Sequence, residues 1–301
     1  MEKLVILGSG CAGYTAAIYA ARAGLNPLIL FGSEEGGELT YAPLVENYPG
    51  FSKGIEGIKL MSEMKAQALK FGARIKPETA IKFSIIKDGF EIETKKGKIQ
   101  AKSAIIATGA NPRWLGIKDE NKFKGNGLHI CAACDGYFYK NKEVIIIGGG
   151  DTACVDALYL SRIAKKVTII HRRDSLRASK ILQDRVKKAK INIIWDSAIK
   201  NIKGKTSVES VTIKDVNTNK TKEMKVDGIF LAIGSIPNTD IFKGKIKMDE
   251  NGFIITDKNR NTSVKGIFAA GDVQDKVFRQ AITAAGSGCQ AAMEAESYLS
   301  Q

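Results

Sequence analysis

Cys131, Cys134 and Asp135 are the residues whose types and spacing most suggest chemistry, in the segment CAACDG. Two cysteines two residues apart can bind zinc, form a redox-active disulfide or occur together by coincidence. A structural zinc ion needs four ligands, and with the adjacent His129 the segment offers only three. A redox-active disulfide therefore fits these residues better than a metal site does.

A helix is predicted to begin at the cysteine pair. The N–H groups at the start of a helix favour a thiolate, so this helix would lower the pKa of the cysteine nearest its N-terminus. Asp135 can take and return a proton as thiol and thiolate interchange. Cys131, Cys134 and Asp135 are therefore the candidate catalytic residues.

Two glycine-rich loops follow apolar runs and lead into patterns typical of helices. The first, GSGCAG, spans residues 8–13, and the second, GGGDTA, spans residues 148–153. In such a loop the first glycine permits a tight turn and the second lets the backbone approach a pyrophosphate. The third small residue packs the helix against the strand, so that the N–H groups of the helix face the phosphates. Each loop is therefore predicted to bind a dinucleotide.

The two loops belong to one pattern that is used twice. A strand is predicted after each helix, at Pro27–Phe31 and at Val167–Ile170. Each unit leads to a similar exit, an apolar strand, a small-residue turn and a proline, at 103–112 and 228–237. This self-similarity indicates an internal duplication and two βαβ-type domains.

The predicted fold class is α/β, with two Rossmann-like dinucleotide-binding domains. The segment 266–299 reads as a strand, a turn and an amphipathic C-terminal helix, which we expect to return to the first domain. The second domain is then inserted into the first, with crossings near 111–117 and 237–245 that could act as a hinge. The predicted boundaries are 1–113 with 244–301 for the first domain and 114–243 for the second.

The residues around the loops predict different nucleotides for the two domains. The strand after the second loop ends in His171, Arg172 and Arg173, with Arg177 one turn further on. Arginines at this place suit the 2′-phosphate of NADP, where an NAD site would have an acid. In the first unit the equivalent position is Phe31, and a second glycine turn at 32–39 together with Gly271-Asp272 suggests a flavin site.

The combination of these motifs resembles the low-molecular-weight thioredoxin reductases. The resemblance rests on the CAACDG segment between the GSGCAG and GGGDTA loops, and it continues through residues 157–182 and 266–292. It implies electron transfer from NADPH through FAD to a Cys131–Cys134 disulfide and then to oxidised thioredoxin. It also implies a homodimer and rotation of the inserted domain between the half-reactions. Cys134 would face the flavin, Cys131 would attack the substrate and Asp135 would be the acid–base partner.

The resemblance also assigns residues to the two cofactors. Those implied for FAD are Gly8, Ser9, Gly10, Ala12, Gly13, Gly32, Ser33, Glu34, Glu35, Gly36, Gly37, Glu38, Leu39, Asn47, Ala107, Thr108, Gly109, Gly271, Asp272, Arg279, Gln280 and Ala281. Those implied for NADPH are Gly149, Gly150, Asp151, Thr152, Ala153, His171, Arg172, Arg173, Arg177, Ile233 and Gly234. The chain departs from the family pattern at Cys11, Glu38 and Cys154.

Composition and charge leave few other classes of function. The net charge of +14 suggests nucleic acid as a partner. The lysines, however, are scattered along the sequence and form no stripe interleaved with aromatic residues. Solvated lysines over the whole surface are the simpler interpretation. Cys11, Cys154 and Cys289 stand alone and are expected to be buried fillers. No apolar run is long enough to span a membrane, and the N-terminus enters a strand at once, so a cytoplasmic protein is expected.

Overall fold

The computed structural model describes residues Met1–Gln301. Its strands, in chain order, are β1 Glu2–Leu7, β2 Leu28–Leu30, β3 Arg74–Lys76, β4 Lys82–Ile86, β5 Gly89–Thr94, β6 Gly97–Ile106, β7 Ala110–Pro112, β8 Leu128–His129, β9 Glu143–Gly148, β10 Lys166–Ile170, β11 Asn192–Ile194, β12 Ser197–Lys203, β13 Ser210–Asp215, β14 Thr221–Lys225, β15 Gly228–Ala232, β16 Ser235–Pro237 and β17 Ile267–Ala269. Its α-helices are α1 Cys11–Arg22, α2 Gly57–Lys70, α3 Glu120–Phe123, α4 Ala132–Asp135, α5 Asp151–Leu160, α6 Lys180–Lys188 and α7 Ala281–Leu299. Short 3₁₀ helices span Gly37–Tyr41, Gly136–Tyr139, Asp240–Phe242 and Gly271–Val273.

The chain divides into two compact units. Unit 1 comprises Met1–Asn111 and Ile236–Gln301, and unit 2 comprises Pro112–Ser235. The first division lies two residues before the predicted boundary at 113/114, and the second lies eight residues before the one at 243/244. The difference at the second division arises because Asn238 and Thr239 are bonded into unit 1, where the Asn238 backbone N–H donates to Gly109 and Thr239 Oγ1 donates to Gly252.

Unit 1 is built on a seven-stranded sheet with the order β3-β2-β1-β6-β5-β4 and β17 beside β6. The strands β1, β2, β3, β6 and β17 run parallel, and β4, β5 and β6 form an antiparallel meander. All of Leu4–Leu7 is at most 1% exposed, because both faces of β1 are covered. Leu4 and Ile6 face one hydrophobic core, which includes α1, and Val5 and Leu7 face the other.

The C-terminal segment returns to unit 1, as the sequence predicts. Strand β17 pairs with β6, with Ile267 opposite Ala104. Helix α7 packs against α1 so closely that a Cβ added to Gly288 would lie 2.2 Å from the Ala12 carbonyl oxygen. Small residues on both helices allow this approach, and the fully buried alanines are Ala16, Ala17, Ala20, Ala291 and Ala295. The tight packing fixes the N-terminus of α1 relative to the Gly271–Val273 turn.

Unit 2 repeats the parallel βαβ design. Its main sheet has five parallel strands in the order β11-β10-β9-β15-β8, and a separate antiparallel sheet has the order β12-β13-β14. Val144 and Ile146 face a core shared with α5, whereas Ile145 and Ile147 face a core shared with the antiparallel sheet. The duplication predicted from the sequence is therefore confirmed at the level of fold.

No helix in the structure has the length and apolar character needed to span a membrane.

Candidate active site

The first glycine loop, between β1 and α1, combines two crowded positions with one open position. Gly8 has φ +109°, and a Cβ there would lie 2.2 Å from the Ala107 carbonyl oxygen. A Cβ on Gly13 would lie 2.1 Å from the Gly8 carbonyl oxygen, whereas a Cβ on Gly10 would meet no atom within 4 Å. No side chain caps the N-terminus of α1. The space over Gly10 and the uncapped N–H groups therefore fit a phosphate group.

Three separate segments of unit 1 meet at this loop. The Gly36 N–H donates to Ser9 Oγ at 2.9 Å, and a Cβ on Gly37 would lie 3.4 Å from Gly10 Cα. Gly271 has φ +76°, and a Cβ added to it would lie 2.9 Å from the Cβ atom of Ala12. The loop at 8–13, the turn at 32–39 and the turn at Gly271-Asp272 therefore form one cradle, which is the arrangement expected for a flavin dinucleotide.

The remaining residues predicted for this cradle have mixed roles. Asn47 Nδ2 donates to Gln280 Oε1 at 3.3 Å, which joins two predicted positions that lie 233 residues apart. Glu35 accepts from Tyr14 OH at 3.1 Å and pairs with Lys65 at 2.7 Å, so this carboxylate also has a structural role. Among the other predicted positions, the side chains of Ser33, Glu34 and Glu38 are exposed.

The Ala107–Gly109 turn is held by Asn238, which belongs to none of the predicted sites. Asn238 Nδ2 donates to the Thr108 carbonyl at 2.9 Å, and Thr108 Oγ1 donates to the Asn238 carbonyl at 2.8 Å. Asn238 follows the proline at the end of the second exit pattern. That proximity to the exit is the only sequence signal that pointed to it.

Asp272 is a half-buried carboxyl group at the floor of the cradle. Burial raises its pKa to about 6, and the nearby Asp275 adds to this shift while Arg279 opposes it. A carboxylate here can accept hydrogen bonds from the hydroxyl groups of a bound ribityl chain. Without such donors, its negative charge is poorly solvated.

We expect the apoprotein to become less stable as Asp272 ionises. Its folded-state pKa, about 6, lies above the ordinary 3.8, so its contribution is complete below about pH 4 and is lost as the pH rises through 6. D272N should therefore exceed the wild-type apoprotein in unfolding free energy by about 3 kcal/mol at pH 7.5 and come close to it near pH 4. Urea unfolding of both apoproteins across this pH range measures the difference.

D275N provides the contrasting control for that experiment. The Asp275 carboxylate accepts from the backbone N–H groups of Val277 and Phe278, both at 2.9 Å, so its loss should lower the free energy of unfolding, whereas D272N should raise it. A constant stability difference between D272N and the wild type across the whole range would contradict the role given to burial of Asp272.

The second glycine loop, in unit 2, repeats the geometry of the first. Gly148 has φ +156°, and a Cβ added there would lie 2.5 Å from the Ala232 carbonyl oxygen. A Cβ added to Gly150 would meet no atom within 4 Å. Ala153 is fully buried against the strand. Helix α5 has no side-chain cap at its N-terminus. This loop therefore also fits a phosphate group over its second glycine.

The basic residues predicted to recognise a 2′-phosphate belong to the segment after β10, which is hydrogen-bonded to this second loop. The Arg177 backbone N–H donates to the Gly149 carbonyl at 2.7 Å, which fixes the arginine segment against the loop. The side chains of Arg172, Arg173 and Arg177 are exposed. None of the ion pairs in the structure involves them. Three guanidinium groups are therefore available to an anionic ligand.

His171 differs from its neighbours because it is 5% exposed. Its ring lies over Gly149, where an added Cβ would come within 2.6 Å of three ring atoms, and it packs edge-on against Trp195. Burial and the nearby arginines lower the pKa of His171. Its Nε2 atom is buried without a hydrogen-bond partner in the protein. A neutral imidazole beside the loop fits a nucleotide that supplies the missing hydrogen bond.

Ile233 and Gly234 form the turn that leaves β15 in unit 2. The Gly234 carbonyl accepts from the Arg113 N–H at 2.9 Å, and Gly234 itself has φ +94°. The turn directly follows Ala232, whose carbonyl contacts the first glycine of the second loop. This places the predicted turn beside the nucleotide loop.

The opening cysteine pair forms a disulfide in unit 2. Cys131 and Cys134 are bonded, with their Cα atoms 5.3 Å apart, and the Cys134 side chain is exposed. Cys131 is the N-cap of α4, and the Cys134 N–H donates to Cys131 Sγ at 3.1 Å. The predicted helix start is therefore confirmed. Once the bond is reduced, this N–H group favours a thiolate on Cys131.

Asp135 has a partner, His129, for which the sequence suggests only a possible role as a zinc ligand. His129 Nδ1 lies 3.0 Å from Asp135 Oδ2, and His129 Nε2 lies 2.7 Å from Tyr139 OH. The ring of His129 also stacks on Phe230 with centroids 5.3 Å apart. The spacing of His129 and Asp135 gives no sign of this contact, because it depends on β8 running alongside β15. Nowhere in the structure do three or more His, Cys, Asp or Glu side chains come together in a way that could hold a metal ion.

The three isolated cysteines, Cys11, Cys154 and Cys289, form no disulfide. Cys11 and Cys154 are buried, as predicted, and burial raises the pKa of both, for Cys11 to about 12. Cys11 Sγ donates to Met61 Sδ at 3.6 Å. The prediction was wrong for Cys289, which is partly exposed because it lies toward the outer side of α7 beside Met293.

Comparison with known proteins places the chain among flavin- and nucleotide-dependent enzymes. A family model described as pyridine nucleotide-disulphide oxidoreductase matches residues 2–288. The thioredoxin reductase of Rickettsia conorii is 49% identical over 305 residues, covering 99% of this chain and 98% of the relative. That of Streptomyces clavuligerus is 45% identical, covering 99% and 94%. The solved thioredoxin reductase from Giardia duodenalis has a TM-score of 0.95 at 39% identity and covers 99% of both chains.

These matches agree with the geometry of both glycine loops and of the exposed disulfide. The family model spans both units, and the relatives align along nearly the whole chain without a missing domain. The protein therefore belongs to the pyridine nucleotide-disulphide oxidoreductase family.

Proposed function

We propose that this protein is an NADPH-dependent, FAD-containing reductase of thioredoxin. Membership of its family implies the use of a flavin and a nicotinamide nucleotide. The observation that carries the proposal is the exposed Cys131–Cys134 disulfide in the unit that also holds the second nucleotide loop. Three unpaired arginines beside that loop support NADPH over NADH, and the cradle of unit 1 supports FAD.

The residues proposed for each cofactor are those brought together in one unit. The loop at 8–13, the turn at 32–39 and Asp272 would hold FAD in unit 1. The loop at 149–153 and the arginines would hold NADPH in unit 2. When bound, the two cofactors supply two electrons as a hydride from the nicotinamide and pass them on through the flavin.

The chain itself carries the electrons from the disulfide to the acceptor. Two electrons and a proton convert the disulfide into one thiol and one thiolate, and the N–H of Cys134 favours the thiolate at Cys131. That thiolate attacks one sulfur of the acceptor disulfide, and the other acceptor sulfur leaves as a thiolate and takes a proton. Cys134 then attacks Cys131 in the mixed disulfide, which reforms the bond and releases the acceptor dithiol. Asp135 moves the protons.

The experiment that tests the proposal follows NADPH oxidation by the purified yellow protein with thioredoxin from the same organism. We expect turnover that requires thioredoxin and that is much slower with NADH. If NADPH bleaches the flavin but thioredoxin does not restore its colour, the proposed cofactors are supported and the acceptor is another disulfide protein. Absence of a bound flavin would reject the proposal as a whole.

The surface around the disulfide supports a protein acceptor. Tyr137 and Phe138 follow the pair within four residues and are 65% and 43% exposed, which is unusual for aromatic side chains. Exposed lysines, Lys140 and Lys142, follow them in the chain, and the Lys140 N–H donates to the Tyr137 carbonyl. Aromatic residues surrounded by charged ones are typical of protein interfaces.

We expect Y137A/F138A to raise the KM for thioredoxin about tenfold or more, since truncated interface aromatics commonly cost over 1 kcal/mol each. Flavin reduction by NADPH should not change. Steady-state kinetics with varied thioredoxin measures the effect, and I181A, which removes another exposed side chain on α6 of the same unit, is the matched control. An unchanged KM in the double variant would place the acceptor on another surface.

Three further parts of the sequence prediction stay predictions. These are the homodimer, the cytoplasmic location and the absence of a nucleic-acid partner. Rotation of the inserted domain is also proposed, because the disulfide and the nicotinamide loop lie in unit 2 and both must reach a flavin held by unit 1.

A further inference from the structure

Behind the disulfide, three side chains form a continuous hydrogen-bonded chain within unit 2. His129 bridges Asp135 and Tyr139, with distances of 3.0 Å to the Asp135 carboxylate and 2.7 Å to the Tyr139 hydroxyl. His129 is 7% exposed, whereas the side chain of Asp135 is 29% exposed. These hydrogen bonds therefore run from the partly exposed Asp135, the residue next to Cys134, to a buried imidazole.

The surroundings of His129 accommodate both of its protonation states. A neutral ring with its proton on Nδ1 donates to Asp135 and accepts from the Tyr139 hydroxyl at Nε2. A protonated ring donates at both nitrogens, and the Tyr139 oxygen then accepts. Since a hydroxyl can do either, no buried ring nitrogen loses its partner when the charge changes. Such a site can gain and lose a proton at little cost in hydrogen bonds.

The other groups that face this chain of residues limit what else can titrate there. Burial raises the pKa of Tyr139 to about 12, and the charges of Asp135 and Asp227 add to this shift, so its hydroxyl stays protonated. The Lys142 ammonium lies 5.3 Å from the centre of the Tyr139 ring. From β15, the Phe230 ring covers one face of His129. The carboxylate of Asp227 is bonded to the Glu143 N–H.

From this geometry we propose that His129 is a positioning residue that stores the proton which Asp135 delivers to the redox-active cysteines. The inference rests on the proposed function of Asp135 as their acid–base partner. A proton from water enters at the partly exposed Asp135 and is held by the Asp135–His129 pair, with the charge on the imidazole. When the disulfide accepts two electrons, one proton passes from His129 through Asp135 to a sulfur. The pair is then left with one negative charge until water recharges it.

The pair gives the acid a working range that a carboxyl group alone does not have. An imidazole ordinarily changes charge between pH 5 and 8, whereas an isolated aspartate has lost its proton well below that range. Two groups in contact titrate as one unit, and the state of the unit decides whether a proton is available. His129 therefore gives the pair a second group that can carry the proton.

The first test compares H129N with the wild-type holoenzyme over pH 5.5–8. The asparagine amide can still donate to Asp135 but cannot carry a proton. We expect kcat for thioredoxin reduction to fall about tenfold at pH 8, part of the 10²–10⁴ that a positioned acid contributes, and to come within about twofold at pH 5.5. A purely structural defect would lower kcat by the same factor at every pH, and that result would overturn the inference.

The second test does not depend on the acceptor or on NADPH. The reduced protein is alkylated with iodoacetamide across the same pH range, and the rate reports the thiolate at the cysteine pair. In the wild type we expect an inflection in addition to that of the thiol, because a charged pair favours the neighbouring thiolate and a discharged pair opposes it. H129N should lose this inflection and keep only that of the thiol. Identical profiles for the two proteins would overturn the inference even if thioredoxin proves to be the wrong acceptor.

Y139F keeps the test decisive if H129N does not fold. It leaves the contact between Asp135 and His129 in place but removes the oxygen that accepts from the protonated ring. The charged ring then has an unsatisfied N–H group, so the inflection should move to lower pH by about one unit. An inflection that stays at the wild-type pH would show that His129 is not the group that titrates.

Discussion

Replacement of Cys134 with serine is expected to abolish steady-state reduction of thioredoxin while NADPH still bleaches the flavin. The serine hydroxyl cannot form the disulfide, so the electrons have no route from the flavin to the acceptor. Loss of a covalent catalytic group commonly lowers turnover by 10⁴-fold or more. Stopped-flow absorbance of the flavin and the steady-state assay with thioredoxin measure the two halves separately.

C131S makes this prediction sharper, because the two cysteines have different environments. Cys131 receives the Cys134 N–H at 3.1 Å and is the N-cap of α4, which favours its role as the attacking thiolate. In C134S, Cys131 should attack thioredoxin once and remain bound to it as a mixed disulfide. C131S should form no such adduct. Mass spectrometry of the trapped complex distinguishes the two variants.

C289S is the control for nonspecific loss of a thiol. Cys289 is the partly exposed free cysteine, on α7 of unit 1, so this variant should keep wild-type turnover. Trapping in C131S instead of C134S would reverse the roles assigned to the two sulfurs. Wild-type turnover in C134S would remove the disulfide from the electron path altogether.

The sequence predicted the parts of this molecule that are set by backbone geometry. The two glycine loops were visible because a tight turn, an open position and a close helix contact each require a small residue in a fixed order. Gly8, Gly10 and Gly13 show these three roles directly. The return of the C-terminal segment was predicted for another reason, because the first domain otherwise lacks a cap on its ligand side. The small residues that let α7 lie against α1 are a finding of the structure.

Contacts between side chains distant in the sequence were not visible in the same way. The bond between Asn47 and Gln280 depends on how the strands of unit 1 are ordered. The role of His129 depends on the pairing of β8 with β15, which turns its ring toward Asp135 and Tyr139. A single sequence carries no signal for such pairings. It gave His129 only as a candidate ligand that left a zinc site incomplete.

The second large effect concerns the choice of nucleotide. R172A/R173A is expected to lower kcat/KM for NADPH by about 10²–10⁴ and to leave that for NADH nearly unchanged. Charged hydrogen bonds contribute about 1.5–3 kcal/mol each, and each 1.36 kcal/mol corresponds to a factor of ten. Both side chains are exposed and free of ion pairs, so no competing acid reduces this contribution. Initial rates with the two nucleotides give the ratio.

Charge alone would also favour NADPH, and this alternative must be separated from direct recognition. Unit 2 has 24 Lys and Arg against 13 Asp and Glu, so it carries +11 of the net charge of +14. That broad positive field attracts the extra phosphate of NADPH wherever the arginines lie. R185A, which removes an exposed arginine on α6 without touching the loop, measures the contribution of the field.

Salt distinguishes the two contributions, because screening weakens the field more than short contacts. At 0.15 M salt the Debye length is about 8 Å, so distant charges lose most of their effect while hydrogen bonds to a phosphate persist. We therefore expect the NADPH preference of the wild type and of R185A to survive at this ionic strength and that of R172A/R173A to be largely lost. If all three proteins kept the same preference, the 2′-phosphate would be recognised elsewhere. If all three lost it as salt increased, the preference would come from the field of unit 2 and not from the arginines at the end of β10.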